Sequence, residues 1–306
     1  MALNNPAFNN PAFQDPKAGR AYPTNTPPAF GTQTQVASAQ HQGVDAASSA
    51  QLEGAFAAPP AGAIETGRMT VEDTVWKTVG LFAILIVAAA VGWIWTMAPV
   101  TAQNPSPSIA PWLIGALGGF VLAMVVIFTS RKKVRPALIF GYAVFEGLFV
   151  GGISAFFEFL YPGIVVQATL ATLAVVGVTL ALFASGKVRA SKRATKVFMI
   201  AMVGYLVFSL LNLGLMIFGA PIAGGAFGLR SEPSFLFGIP WGVLIGVFVV
   251  IMAAYSLVLD FDQVQQGVRN GAPRQFAWLA SFGIMVTVVW LYVEILRILA
   301  ILRGNN

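Results

Sequence analysis

There is no cysteine in this chain of 306 residues, and a single histidine. Without a thiol there can be no disulfide, no thiolate nucleophile and no Cys-ligated zinc or iron–sulfur centre. The one histidine, His41, lies in a polar stretch away from the apolar segments. A Ser–His or Cys–His hydrolase inside a membrane is therefore excluded by inventory, as is a His-rich metal site. Charge is also scarce: 10% of residues are charged and 57% are hydrophobic, whereas soluble domains carry about 25% charged residues. Mean hydropathy is +0.76, and the combination describes a polytopic membrane protein. The net charge of +6 is no nucleic-acid signature, because the basic residues sit in short runs between apolar segments.

The first 70 residues read as a separate region, rich in Pro, Ala, Asn, Gln, Thr and Ser. With few large aliphatic residues to bury they are expected to be disordered, leaving residues 71–306 as the membrane domain. Asn4–Phe8 repeats as Asn9–Phe13, with an echo at Pro28-Ala29-Phe30. Such a tract suits a linear peptide that offers Phe anchors to a protein partner. No basic n-region is followed by an apolar core and a small-residue cleavage site, so no cleaved secretory signal is expected.

From Val75 on, apolar runs alternate with short polar breaks. Their lengths predict membrane helices near Val75–Ala98, Ala110–Ser130, Pro136–Leu160, Gly163–Ser185, Val197–Gly219, Phe235–Asp260 and Phe276–Leu302. The fold class expected is an all-α membrane protein, a seven-transmembrane-helix bundle with a disordered N-terminal tail. Arg131, Lys132, Lys133 and Arg135 occupy the second break, five basic residues from Lys187 to Lys196 the fourth, and Arg269 and Arg274 the sixth. The first and third breaks carry no Lys or Arg, and the fifth only Arg230. By the positive-inside rule the even-numbered breaks face the cytoplasm, which puts the N-terminus inside and the C-terminus outside a cell (inner or plasma) membrane. Gly115/Gly119, Gly147/Gly151 and Gly242/Gly246 are GxxxG spacings that let helix backbones approach closely in lipid.

Acids in or against these spans are expensive and therefore point to function or to pairing. Asp260 ends an apolar run, Ser256-Leu257-Val258-Leu259-Asp260, and is followed by Phe261-Asp262. Read as the last residue of its helix, Asp260 meets the negative end of the helix dipole, and partial burial works in the same direction against its charged form. Asp262 reads as a solvated charge in the loop beyond. Glu146 lies about ten residues into the third span and should face the bundle interior, protonated or paired. Glu294 and Arg297, three apart, can pair along one helix face. Glu158, beside Tyr161-Pro162, reads as an interfacial charge. A lone carboxylate is weak evidence for a bound Ca²⁺, which takes six to eight oxygens.

Several stretches, in order, resemble the Bax inhibitor family (transmembrane Bax inhibitor motif, or YccA-like) in its bacterial members. Tyr255–Val264 is similar to the sixth-helix signature, Ile295-Leu296-Arg297-Ile298-Leu299 to the close of the seventh helix, and Phe128–Lys133 to the basic end of the second. Glu146-Gly147-Leu148 and Tyr161–Ala168 resemble the third and fourth helices. The likeness covers roughly Val75 to Leu302. It implies a central helix wrapped by six others, and a pH-sensitive Ca²⁺ leak controlled by two aspartates. Asp260 matches the first aspartate, and Arg131 matches an arginine that latches the pore closed in some members. For the second aspartate, one register places Thr287 and another Glu294; chain length favours Thr287. A second-helix glutamate of some members is replaced by Phe120.

Two main readings follow. One is a Ca²⁺ leak gated by protonation of Asp260, held closed through Arg131, with Glu294, Glu146 and Asp262 as further ion or proton groups. The other is a non-conducting regulator whose tail binds a membrane protease or another protein. A solute transporter would show inverted repeats, and none is evident. No enzyme activity and no cofactor are expected beyond Ca²⁺ as a permeant or bound ion; partners are the lipid bilayer, Ca²⁺ or protons, and no nucleic acid. Reporters fused at Gly186 and at Asn306 are expected to read opposite sides of the membrane; the same side for both would break the seven-span topology.

Overall fold

The computed structural model describes residues 67–131, 133–218, 227–234 and 238–304, so the tail and its Phe repeat lie outside the described residues. Seven helices here are long and apolar enough to cross a membrane. In chain order they are α1 Val71–Met97, α2 Ala110–Ser130, α3 Pro136–Leu160, α4 Ile164–Ala184, α5 Lys192–Ile217, α6 Trp241–Arg269 and α7 Phe276–Gly304. A 3-10 turn, Gly228–Ser231, precedes α6. The chain is an all-α, multi-pass membrane protein.

Helices α2 and α3 start and stop with their apolar runs, each with proline in its first turn. Others outrun the lipid-compatible stretch because their polar ends are satisfied locally. Thr70 caps α1, its hydroxyl accepting from the Asp73 N–H at 3.0 Å, and Ser191 caps α5 in the same way through Ala194 at 3.2 Å. The largest departure is α6. The expected end at Asp260 is wrong: the helix continues nine residues further to Arg269, about 14 Å at 1.5 Å per residue. In that extension Gln266 donates to Asp262 at 2.7 Å and Arg269 to Gln265 at 3.1 Å, both four apart along one face. Hydropathy marks where lipid ends, and a helix can run on past it.

At the centre is α7, whose Leu279, Phe282, Met285, Leu291, Leu296 and Ala300 are buried. It packs against α1, α3, α4 and α6. Helix α5 is peripheral, with only Phe198 and Asn212 buried. Between α1 and α3 the close approach rests on glycine, as the spacing predicted. A Cβ on Gly147 would meet the Ala88 Cβ at 2.6 Å, and one on Gly151 would meet the Ala89 Cα at 2.7 Å and fall onto its carbonyl. The start of α1 is clasped to the α6–α7 turn: the Met69 N–H donates to the Ala272 carbonyl at 2.7 Å and the Arg274 N–H to that of Gly67 at 2.8 Å. Asp73 adds ion pairs to Lys77 and Arg274.

Gly151→Leu meets backbone, which cannot rotate away, and is expected to destabilise the bundle by roughly 3 kcal/mol, at the upper end of overpacking costs. Gly177→Leu on α4, where nothing lies within 4 Å, should change stability by less than about 0.5 kcal/mol. Thermal unfolding in detergent compares the two; equal losses would show that the glycine contact does not carry the packing.

Candidate functional site

The extension of α6 changes the setting of Asp260. It lies more than two turns inside the helix, where the end-of-helix dipole has faded, and its side chain has no exposed surface. Across the α6–α7 interface the Thr287 hydroxyl donates to Asp260 Oδ2 at 2.6 Å. Thr287 is itself buried, so this is a charge-capable contact shut away from solvent. On either side along α6, Leu257 and Phe261 line a cleft of about 490 Å³ reaching α1 and α4, apolar apart from Thr74, Thr78, Thr172 and Gln265.

The other acids take separate places. Asp262, expected in a loop, is helical, partly buried and bonded to Gln266. Glu146 sits where α3 meets α2; a Cβ on Gly119 would touch its Oε2 at 3.0 Å, so it faces the bundle interior as expected. Glu158 is a cap and not simply a solvated charge: it accepts from the Gly163 N–H at 2.5 Å and the Val165 N–H at 3.0 Å, at the start of α4. Glu294 is buried and ion-paired to Arg297, the intrahelical pair that the spacing predicted.

Around that pair lies a second polar centre that spacing alone did not reveal. Tyr205 of α5 donates to Glu294 Oε2 at 2.9 Å, and Arg297 donates to the Tyr205 oxygen at 2.8 Å. Arg230, from the 3-10 turn, donates to Ser209 Oγ at 2.8 Å. The available signal was Arg230 itself, the sole base in a break that should carry none.

Of the two candidates for the second acidic position, Thr287 is the one that meets Asp260. Glu294 lies two turns further along α7, about 10 Å away along the axis, and engages α5. Arg131, the C-cap of α2, is exposed and makes no ion pair among the described residues. The structure thus joins Asp260 to Thr287. Among the described residues no three carboxylates or histidines cluster as metal ligands.

A family model described as Bax inhibitor 1 like matches residues 5–304. The chain belongs to this family. The match includes the tail, which the stretch-by-stretch resemblance had left out. No sequence among the curated proteins matches the chain. Within a Bax inhibitor 1 like bundle, the packed α6–α7 interface contains a buried polar contact, Asp260–Thr287.

Thr287→Val keeps the shape and removes the donor. It is expected to cost about 1 kcal/mol, between the small average for hydrogen bonds inside membrane bundles and the larger cost of stranding a buried polar group. Thr287→Ser, which restores the hydroxyl, should recover most of that. Unfolding in detergent measures both, and a Thr287→Val protein as stable as the wild type would show that the contact adds nothing.

Proposed function

We propose that the chain is a pH-sensitive cation leak, Ca²⁺ being the permeant ion, in which Asp260 is the protonatable gate. The observation that carries this reading is the wholly buried carboxylate tied to Thr287 across α6 and α7. When ionised, Asp260 accepts the Thr287 hydroxyl and presents a negative charge deep in the bundle, where a passing cation can be stabilised. When protonated it offers no charge, and it becomes a donor that competes with Thr287 for partners. One carboxylate and a hydroxyl supply few of the oxygens that Ca²⁺ prefers, which suits a transient stop and not a storage site. The membrane is a cell (inner or plasma) membrane with the basic loops in the cytoplasm, and the protein is not an enzyme. Glu146, Asp262 and Arg131 are kept as secondary groups, because none contacts the Asp260–Thr287 pair in the hydrogen bonds and ion pairs described.

With threonine where a second aspartate is expected, the Asp260–Thr287 contact holds one carboxylate and not two. A pair of facing carboxylates titrates in two coupled steps, because one charge opposes the other; one carboxylate should titrate in one. The test is Ca²⁺ and K⁺ flux through purified protein in liposomes across a pH series. The wild type should show one transition, Asp260→Asn none, and Asp260→Glu one with a displaced midpoint. Thr287→Asp should split the transition into two. A wild-type pH profile in Asp260→Asn would place the gate elsewhere. Absence of flux at every pH would favour the non-conducting regulator.

A further inference from the structure

The second polar centre has more positive than negative charge. Arg297 is paired with Glu294, and its guanidinium and the Glu294 carboxylate both bond Tyr205. Arg230 is 6% exposed and forms no ion pair among the described residues. Its guanidinium rests on the rings of Tyr205 and Phe208, at 5.4 and 5.3 Å from their centroids. Two guanidiniums therefore share one carboxylate at this centre: Glu232, two residues beyond Arg230, does not line the cavity and is in none of the ion pairs among the described residues, and the stretches between α5 and α6 outside the described residues, 219–226 and 235–237, contain no acid. Burial, and then the charge of Arg297, push Arg230 below the usual arginine range, although a guanidinium in a protein stays protonated. In addition, the Nε atoms of both Arg230 and Arg297 are buried with no hydrogen-bond partner.

Both arginines line a cavity of about 400 Å³, within the usual size range for small-molecule sites. Ser209 and Asn212 add polar groups, Trp112, Phe149, Phe157 and Phe227 form an aromatic wall, and aliphatic side chains complete the lining. The position of Arg230 is set by the fold. Asn212 accepts from the Leu229 N–H at 2.9 Å and donates to the Phe227 carbonyl at 3.3 Å, pinning the 3-10 turn to α5. An unbalanced charge in such a setting is strongly unfavourable, and an anion on the free guanidinium edges relieves it. The surplus is one charge, which suits a monoanion. The planar fork of arginine matches a carboxylate, and the aromatic walls suit a hydrocarbon body.

We propose that this cavity binds a small organic monocarboxylate, its carboxylate held by Arg230 and Arg297 and its apolar body by the aromatic wall. The site lies at the opposite end of the bundle from the basic loops and is independent of the Asp260 gate. Its test uses the purified full chain in detergent, with hexanoate as the probe, hexanol as its uncharged counterpart and chloride as a plain anion. Calorimetric titration and thermal unfolding should show saturable binding of hexanoate, and neither hexanol nor chloride should match it. Arg230→Gln should weaken hexanoate at least tenfold, and Arg230→Lys, which keeps the charge and loses the fork, should weaken it by less. Glu294→Gln removes the competing carboxylate and should retain or tighten binding. Dodecanoate distinguishes the source of the ligand: binding equal to that of hexanoate means capture from water, and much tighter binding means an amphiphile delivered from the bilayer. Hexanoate matched by hexanol or chloride, or bound equally by the wild type and a folded Arg230→Gln or Arg230→Lys protein, overturns the proposal.

Discussion

Inside a bilayer a polar side chain has no water to satisfy it, so each one must find a partner within the protein. That constraint organises the interior of this chain. Helix α7 collects both buried polar centres: Thr287 receives Asp260 from α6, and Glu294 with Arg297 receives Tyr205 from α5. Each contact joins α7 to a different neighbour at a different depth. The central helix is therefore held by polar contacts as well as by Leu279, Phe282 and Leu291. A helix carrying two such contacts is a natural point for a change in charge to alter packing.

Close packing by small residues makes room for this arrangement. Gly147 and Gly151 allow the α3 backbone to lie on Ala88 and Ala89 of α1, and Gly115 brings α2 against Phe145 and Phe149 of α3. With no hydrophobic force between helices in lipid, such van der Waals fit is the main attraction available. Gly246 serves a different end. It lies beside the Glu294 carboxylate, where a Cβ would approach Oε1 to 3.5 Å and meet Ile298 more closely. The third glycine pair thus faces a polar centre as well as a helix contact.

Much of the bundle was legible in the chain. The termini of α2 and α3 coincide with their apolar runs because proline opens both and polar breaks close them. The end of α6 was not legible, since Asp262, Gln265, Gln266 and Arg269 are polar yet bond along the helix. The reading of Asp260 as an end-of-helix charge failed with it. The Glu294–Arg297 pair could be read from its three-residue spacing, which is a local property. Tyr205 and Ser209 could not, because their partners lie 89 and 21 residues away.

Composition, the lengths of the apolar runs and the placement of the basic residues determined the class and the seven spans, because hydropathy over about 20 residues is a local quantity matched to lipid thickness. Which side chains meet inside the bundle was decided only by how the helices rotate and cross. The apolar pattern constrains that rotation weakly when lipid and core are equally apolar, so no face of a span is marked by hydropathy alone. The choice of Thr287 over Glu294 as the residue facing Asp260, the exposure of Arg131 and the meeting of Arg230 with Arg297 all depend on that rotation.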